Sequence, residues 1–180
     1  VLLVSVFSGY SLSRFNFKGK GTVFGVFLLT QMFPVVLLIA PLFVIFSKLQ
    51  LIDSLYSLVL VYTVFNIPFS SFLMRGFFDN VPKEIEEYAM IDGCSRVASI
   101  FRVVLPVMLP GLIATFIFSF ISAWNELIFG VVFLNSESVK TLPVGLNFFI
   151  QKYDVSWGMM SAGAVVSLIP VFILFGLIPG

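Results

Sequence analysis

The segment Asp79-Asn80-Val81-Pro82-Lys83-Glu84-Ile85-Glu86-Glu87-Tyr88-Ala89-Met90-Ile91-Asp92-Gly93-Cys94-Ser95-Arg96 holds seven of the 19 charged residues in a 180-residue chain. It reads as a short helix with defined ends. Asp79 or Asn80 is expected to cap it, and Pro82 suits a first turn, where no amide donor is required. Glu84, Glu86 and Glu87 crowd the end where the helix dipole favours anions. Gly93 is placed to stop it. Ile85, Ala89 and the side of Tyr88 recur at helical spacing and give a narrow apolar face. A second helical stretch runs through Val97, Ile100 and Phe101 until Pro106 and Pro110 reset the backbone. Five carboxylates (Asp79, Glu84, Glu86, Glu87, Asp92) stand against Lys83 in the first helix. A helix lying on lipid usually carries Lys and Arg instead. Docking to a protein is therefore favoured over a solvated loop or a lipid-surface helix.

On either side of this segment the chain is apolar. Overall 59% of residues are hydrophobic and 11% are charged, against about 25% charged in an ordinary soluble domain. So few charges cannot coat a water-facing surface, and lipid must be the solvent for much of the chain. Uncharged runs of 27, 21 and 23 residues separate Lys20 from Lys48, Asp53 from Arg75 and Arg102 from Glu126. The last continues apolar beyond Glu126 to Leu134, and nothing after Asp154 is charged. About 20 residues suffice for one helical crossing, so four whole spans are predicted. The runs are continuous rather than alternating, which selects helices over a barrel. Val1–Tyr10 has no basic stretch before it and fails the signal-peptide pattern. It reads as the remnant of an earlier span. The predicted class is an all-α membrane protein, a polytopic helical bundle.

Loops that alternate sides put Arg14, Lys18, Lys20, Arg75, Lys83, Arg96 and Arg102 together, and only Lys48, Lys140 and Lys152 opposite. That bias places residues 79–105 in the cytoplasm and turns the Ser47–Asp53 and Asn135–Trp157 segments outward. A net charge of +1 offers no field for nucleic acid. With no His and one Cys, the chain has no zinc site of the usual kind and no internal disulfide. Cys94, between Gly93 and Ser95, reads as a packing residue.

Glu87-Tyr88-Ala89, three residues, Gly93, nine residues and Val103-x-Leu105-Pro106 resemble the EAA loop of ATP-binding-cassette (ABC) importer permeases. Tyr88 replaces the first Ala and Val103 the Ile. Tyr10–Gly19, Gln31–Pro34, Pro41–Phe43, Asn66–Phe69, Ala123–Glu126, Phe133–Leu134, Thr141–Leu146, Ile169–Val171 and Phe175 extend the likeness. It is strongest to the second permease subunit of maltose-type carbohydrate importers. The resemblance implies a type I importer permease fold in a prokaryotic inner membrane, with residues 1–180 as one incomplete transmembrane domain. Relatives normally have six spans, so the first span, part of the second and a terminal tail are expected to be missing. Residues 79–105 would form the coupling helix, with Glu87, Tyr88, Ala89, Asp92 and Gly93 meeting the ATPase. The implied partners are two nucleotide-binding ATPase subunits, a homologous second permease, an extracytoplasmic solute-binding protein and the lipid bilayer. No cofactor is expected.

Trp124, Asn125 and Glu126 suggest a lining for the solute route. Trp beside Asn offers a stacking face and amide hydrogen bonds, which suit a neutral polyol. An acid inside an apolar run faces a cavity or a partner; the alternative is an interfacial Trp and a Glu bonded to a neighbouring helix. A permease for polyamines, phosphate or amino acids would share the loop, and Trp124–Glu126 with Thr141–Leu146 separate it from a sugar permease. An ion-coupled carrier would need buried charges along several spans, where only Glu126 qualifies. No Gly-Lys-Ser/Thr phosphate signature is present, so ATP hydrolysis is assigned to another chain and the permease is read as non-catalytic.

Overall fold

The computed structural model describes residues 1–149 and 156–176, and no strand occurs among them. The elements are α1 (Leu2–Arg14), α2 (Lys20–Met32), α3 (Ile39–Lys48), α4 (Leu55–Asn80), α5 (Lys83–Ile91), α6 (Arg96–Ser99), α7 (Leu105–Val107), α8 (Leu109–Trp124), α9 (Ile128–Phe133), α10 (Leu142–Asn147) and α11 (Trp157–Gly176). A 3₁₀ turn, Val35–Leu38, leads into α3, another covers Glu137–Val139, and a π-helical turn, Ile100–Val104, joins α6 to α7.

Length and hydropathy let α4 and α11 each cross a bilayer alone. Lys20–Met32 with Val35–Lys48, and Arg96–Val107 with Leu109–Trp124, qualify as broken pairs, giving up to four crossings. Prolines cause the breaks. Pro34 lacks the amide that would continue α2, and Pro106 and Pro110 flank an 83° bend at Met108.

The chain forms two compact units. The first combines Val1–Phe33 with Val64–Ser119. Its core is Val6, Tyr10, Met74, Phe78, Val81, Ile100, Val104 and Met108. Gly9 lets α1 approach α4: a Cβ there would lie 2.7 Å from Met74 Cβ and 2.9 Å from the Arg75 nitrogen. Hydroxyls join α1 to α4 and α4 to α8, and one bonds back within α8. Ser8 donates to Ser71 at 2.5 Å, the Ser70 and Ser119 oxygens are 3.0 Å apart, and Thr115 donates to the Gly111 carbonyl at 2.8 Å. Small residues and hydroxyl pairs matter here because lipid gives apolar side chains no reason to prefer each other.

The second unit combines Pro34–Thr63 with Phe120–Gly180. Phe43, Phe46 and Phe129 pack around the fully buried Phe133. Asp53 clasps the end of α9. Its amide donates to the Phe133 carbonyl at 2.7 Å, and its carboxylate accepts the Asn135 and Ser136 amides at 2.8 Å each, plus the Ser136 hydroxyl. The Ser136 hydroxyl, then the two amides, hold this carboxyl below the usual carboxylate range. Within this unit, the predicted outward segments around Asp53 and Asn135 thus meet. Lys152 lies outside the described residues.

Two sequence expectations need correction. Asp79 and Asn80 do not cap α5; they end α4. Asp79 pairs with Arg75 at 3.4 Å and accepts from Ser13 at 2.5 Å, which extends α4 by a turn. Pro82 stands at the start of α5 instead. The apolar run through Glu126 is also not one helix: α8 stops at Trp124 and α9 begins at Ile128.

Candidate functional site

α5 is nine residues long, too short to be stable alone. Its ends and its inner face fix it. Gly93 adopts φ +90°, the Cys94 amide donates to the Ala89 carbonyl at 3.0 Å, and the Gly93 amide donates to Met90 at 3.1 Å. These are the two bonds of a Schellman stop, which needs a left-handed residue at the position Gly93 fills. A Cβ at Gly93 would meet nothing within 4 Å, so the requirement is conformational and the flank stays open.

The two sides of α5 differ sharply. Ile85, Glu86 and Ala89 turn inward; Ala89 is 7% exposed and Glu86 4%. Glu84, Glu87, Tyr88, Ile91, Asp92 and Gly93 turn outward, with Tyr88 66% and Ile91 79% exposed. Of the expected contact residues, Glu87, Tyr88, Asp92 and Gly93 therefore share an open surface. Ala89 belongs to the packed side, and Tyr88 does not join the Ile85–Ala89 face. The outer face combines two large apolar side chains with three carboxylates, a pattern suited to a partner with an apolar floor and a basic rim. Beyond Gly93, Ser95 caps α6 by accepting the Ala98 amide at 3.2 Å.

Glu86 is the residue that sequence reading missed. Its carboxylate lies 3.4 Å from Arg14 Nε, with both side chains almost fully buried. Arg14 also donates through Nη2 to the Val81 carbonyl at 2.8 Å.

The structure gives Trp124, Asn125 and Glu126 different surroundings. Trp124 stacks on Phe120 at 5.5 Å, and its indole NH donates to the Ser167 carbonyl at 3.2 Å. Glu126 accepts the Tyr62 hydroxyl at 2.6 Å, the Phe129 amide at 2.8 Å and the Gly130 amide at 3.2 Å, so it caps α9. Asn125 alone of the three is exposed.

Comparison with known proteins identifies the class. Residues 2–179 match the model of the binding-protein-dependent transport system inner membrane component family. The chain belongs to that family and is an inner-membrane protein. It is 40% identical to the inner membrane ABC transporter permease protein YcjP of Escherichia coli (strain K12), covering 97% of this chain and 64% of that one. It is 36% identical to the sulfoquinovosyl glycerol transport system permease protein SmoH of Agrobacterium fabrum, covering 96% and 61%. The chain thus spans less than two thirds of these curated relatives. A solved bacterial ABC transporter involved in import of the acidic polysaccharide alginate shares the fold at a TM-score of 0.72. There the identity is 23%, over 97% of this chain and 68% of that one.

Proposed function

We propose that the chain is a permease subunit of an ABC importer for a sugar or oligosaccharide, driven through α5 by a separate ATPase. The observation that carries this reading is the two-sidedness of α5. Glu84, Glu87, Tyr88, Ile91 and Asp92 are presented outward while the opposite side is locked into the chain. Such a helix passes displacement to its neighbours without deforming. In this reading residues 1–180 belong to one transmembrane domain, and residues 79–105 are its cytoplasmic coupling segment. Glu87, Tyr88, Asp92 and Gly93 touch the ATPase; Ala89 seats the helix. A homologous permease completes the pathway, two ATPase subunits close on ATP, and an extracytoplasmic binding protein delivers solute. The permease itself catalyses no reaction.

The sugar assignment rests on the relative that serves sulfoquinovosyl glycerol and on the Trp124–Glu126 chemistry. The exposed Asn125 amide suits hydroxyl groups and the Trp124 ring lies beside it, while Glu126 acts as scaffold behind them. Gly93→Leu tests the coupling. A side chain at φ +90° costs about 1–2 kcal/mol and fills the flank the partner approaches. Membrane insertion is expected to stay normal while transport per ATP hydrolysed collapses; unchanged uptake would remove α5 from the mechanism.

A further inference from the structure

We propose that Arg14 and Glu86 form the joint that carries movement of α5 into α1 and α4, making them positioning residues for transport. The inference rests on the coupling role of α5. One guanidinium touches three elements. Arg14 ends α1, its Nη2 holds the carbonyl of Val81 at the turn between α4 and α5, and its Nε faces the Glu86 carboxylate at 3.4 Å. The side chains of Arg14 and Glu86 are 4% and 6% exposed, so neither water nor salt screens the attraction as at a surface. Glu86 is the only charged residue on the inner side of α5. Ile85 and Ala89 supply apolar contact there, which resists separation but permits sliding.

The pair is also incompletely closed. Arg14 Nε, Glu86 Oε1 and the nearby buried Tyr10 hydroxyl lack hydrogen bonds of good geometry among the described residues. A buried charge pair contributes little net stability, and its attested use is to fix one arrangement against others. Here the arrangement is the seating of α5 on α1. The Tyr10 hydroxyl, on α1, also faces Glu86 and Arg96, which adds a further tie between α1 and the coupling segment.

The test uses the importer assembled with its ATPase, second permease and binding protein in liposomes. It compares Glu86→Gln, Glu86→Asp, Arg14→Gln and the outer-face control Glu87→Arg. The readouts are ATPase subunit retained per permease and solute moved per ATP hydrolysed. Glu86→Gln and Arg14→Gln are expected to retain the ATPase yet lose roughly tenfold in solute per ATP, within the range typical of coupling residues. Glu86→Asp, which keeps the charge, should recover part of that loss. Glu87→Arg should release the ATPase. If Glu87→Arg releases it while Glu86→Gln moves solute normally, the joint is refuted and the docking role of α5 stands. If Glu87→Arg leaves docking and transport intact, the coupling role itself fails. If Glu86→Gln and Glu86→Asp both shed the ATPase, the pair only folds α5 and the joint is refuted.

Discussion

At Gly9 the distance between two helices depends on a single missing methyl group. Its hypothetical Cβ would sit 2.7 Å from Met74 Cβ and 2.9 Å from backbone, and backbone cannot swing aside. Gly9→Val must therefore push α1 off α4, at a cost of about 1–3 kcal/mol typical of overpacking. The check is thermal unfolding in detergent, where the variant should melt earlier and Gly76→Ala, in open space, should not. Much of the proposed coupling surface at this scale was legible in the sequence. The spacing of Glu87, Tyr88, Asp92 and Gly93 marks a helix and its stop, and all four are exposed. Glu86 was not legible, because a carboxylate in an acidic run reads as solvated. Its burial depends on Arg14 at the end of α1, and no local pattern links the two. Helical spacing grouped Ala89 with Ile85, as the structure has them, but put Tyr88 on that face too, where it is instead exposed; Ala89's outward contact was implied only by the family resemblance.

Among the elements, the clasp at Asp53 invites a pH experiment. Its carboxyl titrates below the usual range because of the Ser136 hydroxyl, then the two amides. A lowered folded-state value means the contribution is complete above the unfolded carboxylate value, near 4, and is lost as pH falls through the folded one. Hydrogen-exchange protection of the Asn135 and Ser136 amides should therefore be flat from neutral pH to about 4 and drop below it. Asp53→Asn should lower that protection at neutral pH and flatten the profile; a wild-type profile in the variant would dismiss the clasp. Uncharged run lengths foretold α4 and α11 as helices long enough to cross alone, but not the bends of 90° and 83° that break the other two predicted spans. They did not foretell the ends. α4 runs on through Asp79 because Arg75 and Ser13 satisfy that carboxylate. α8 stops short because Glu126 is committed to capping α9.

For the molecule as a whole, orientation is the claim most open to direct measurement. With Cys94 replaced by Ser, single cysteines at Glu84 and Glu137 should report opposite faces. A membrane-impermeant maleimide is expected to label Glu84→Cys in inverted vesicles and Glu137→Cys in intact cells after outer-membrane permeabilisation. Labelling of Glu84→Cys from outside would reverse the topology and remove the ATPase from reach of α5. That orientation is an expectation drawn from the bias of basic residues. The solute was not readable, because its contacts come from several helices far apart in sequence.

The Schellman stop at Gly93 bears on how α5 responds to salt. The end of α5 is tied by amides and carbonyls, and its one ionic anchor is hidden from counter-ions. Swings in salt therefore leave these ties of α5 largely unaltered and act on its exposed carboxylates Glu84, Glu87 and Asp92. If α5 docks an ATPase as proposed, raised salt is expected to weaken that docking without loosening the seating of α5 on α1.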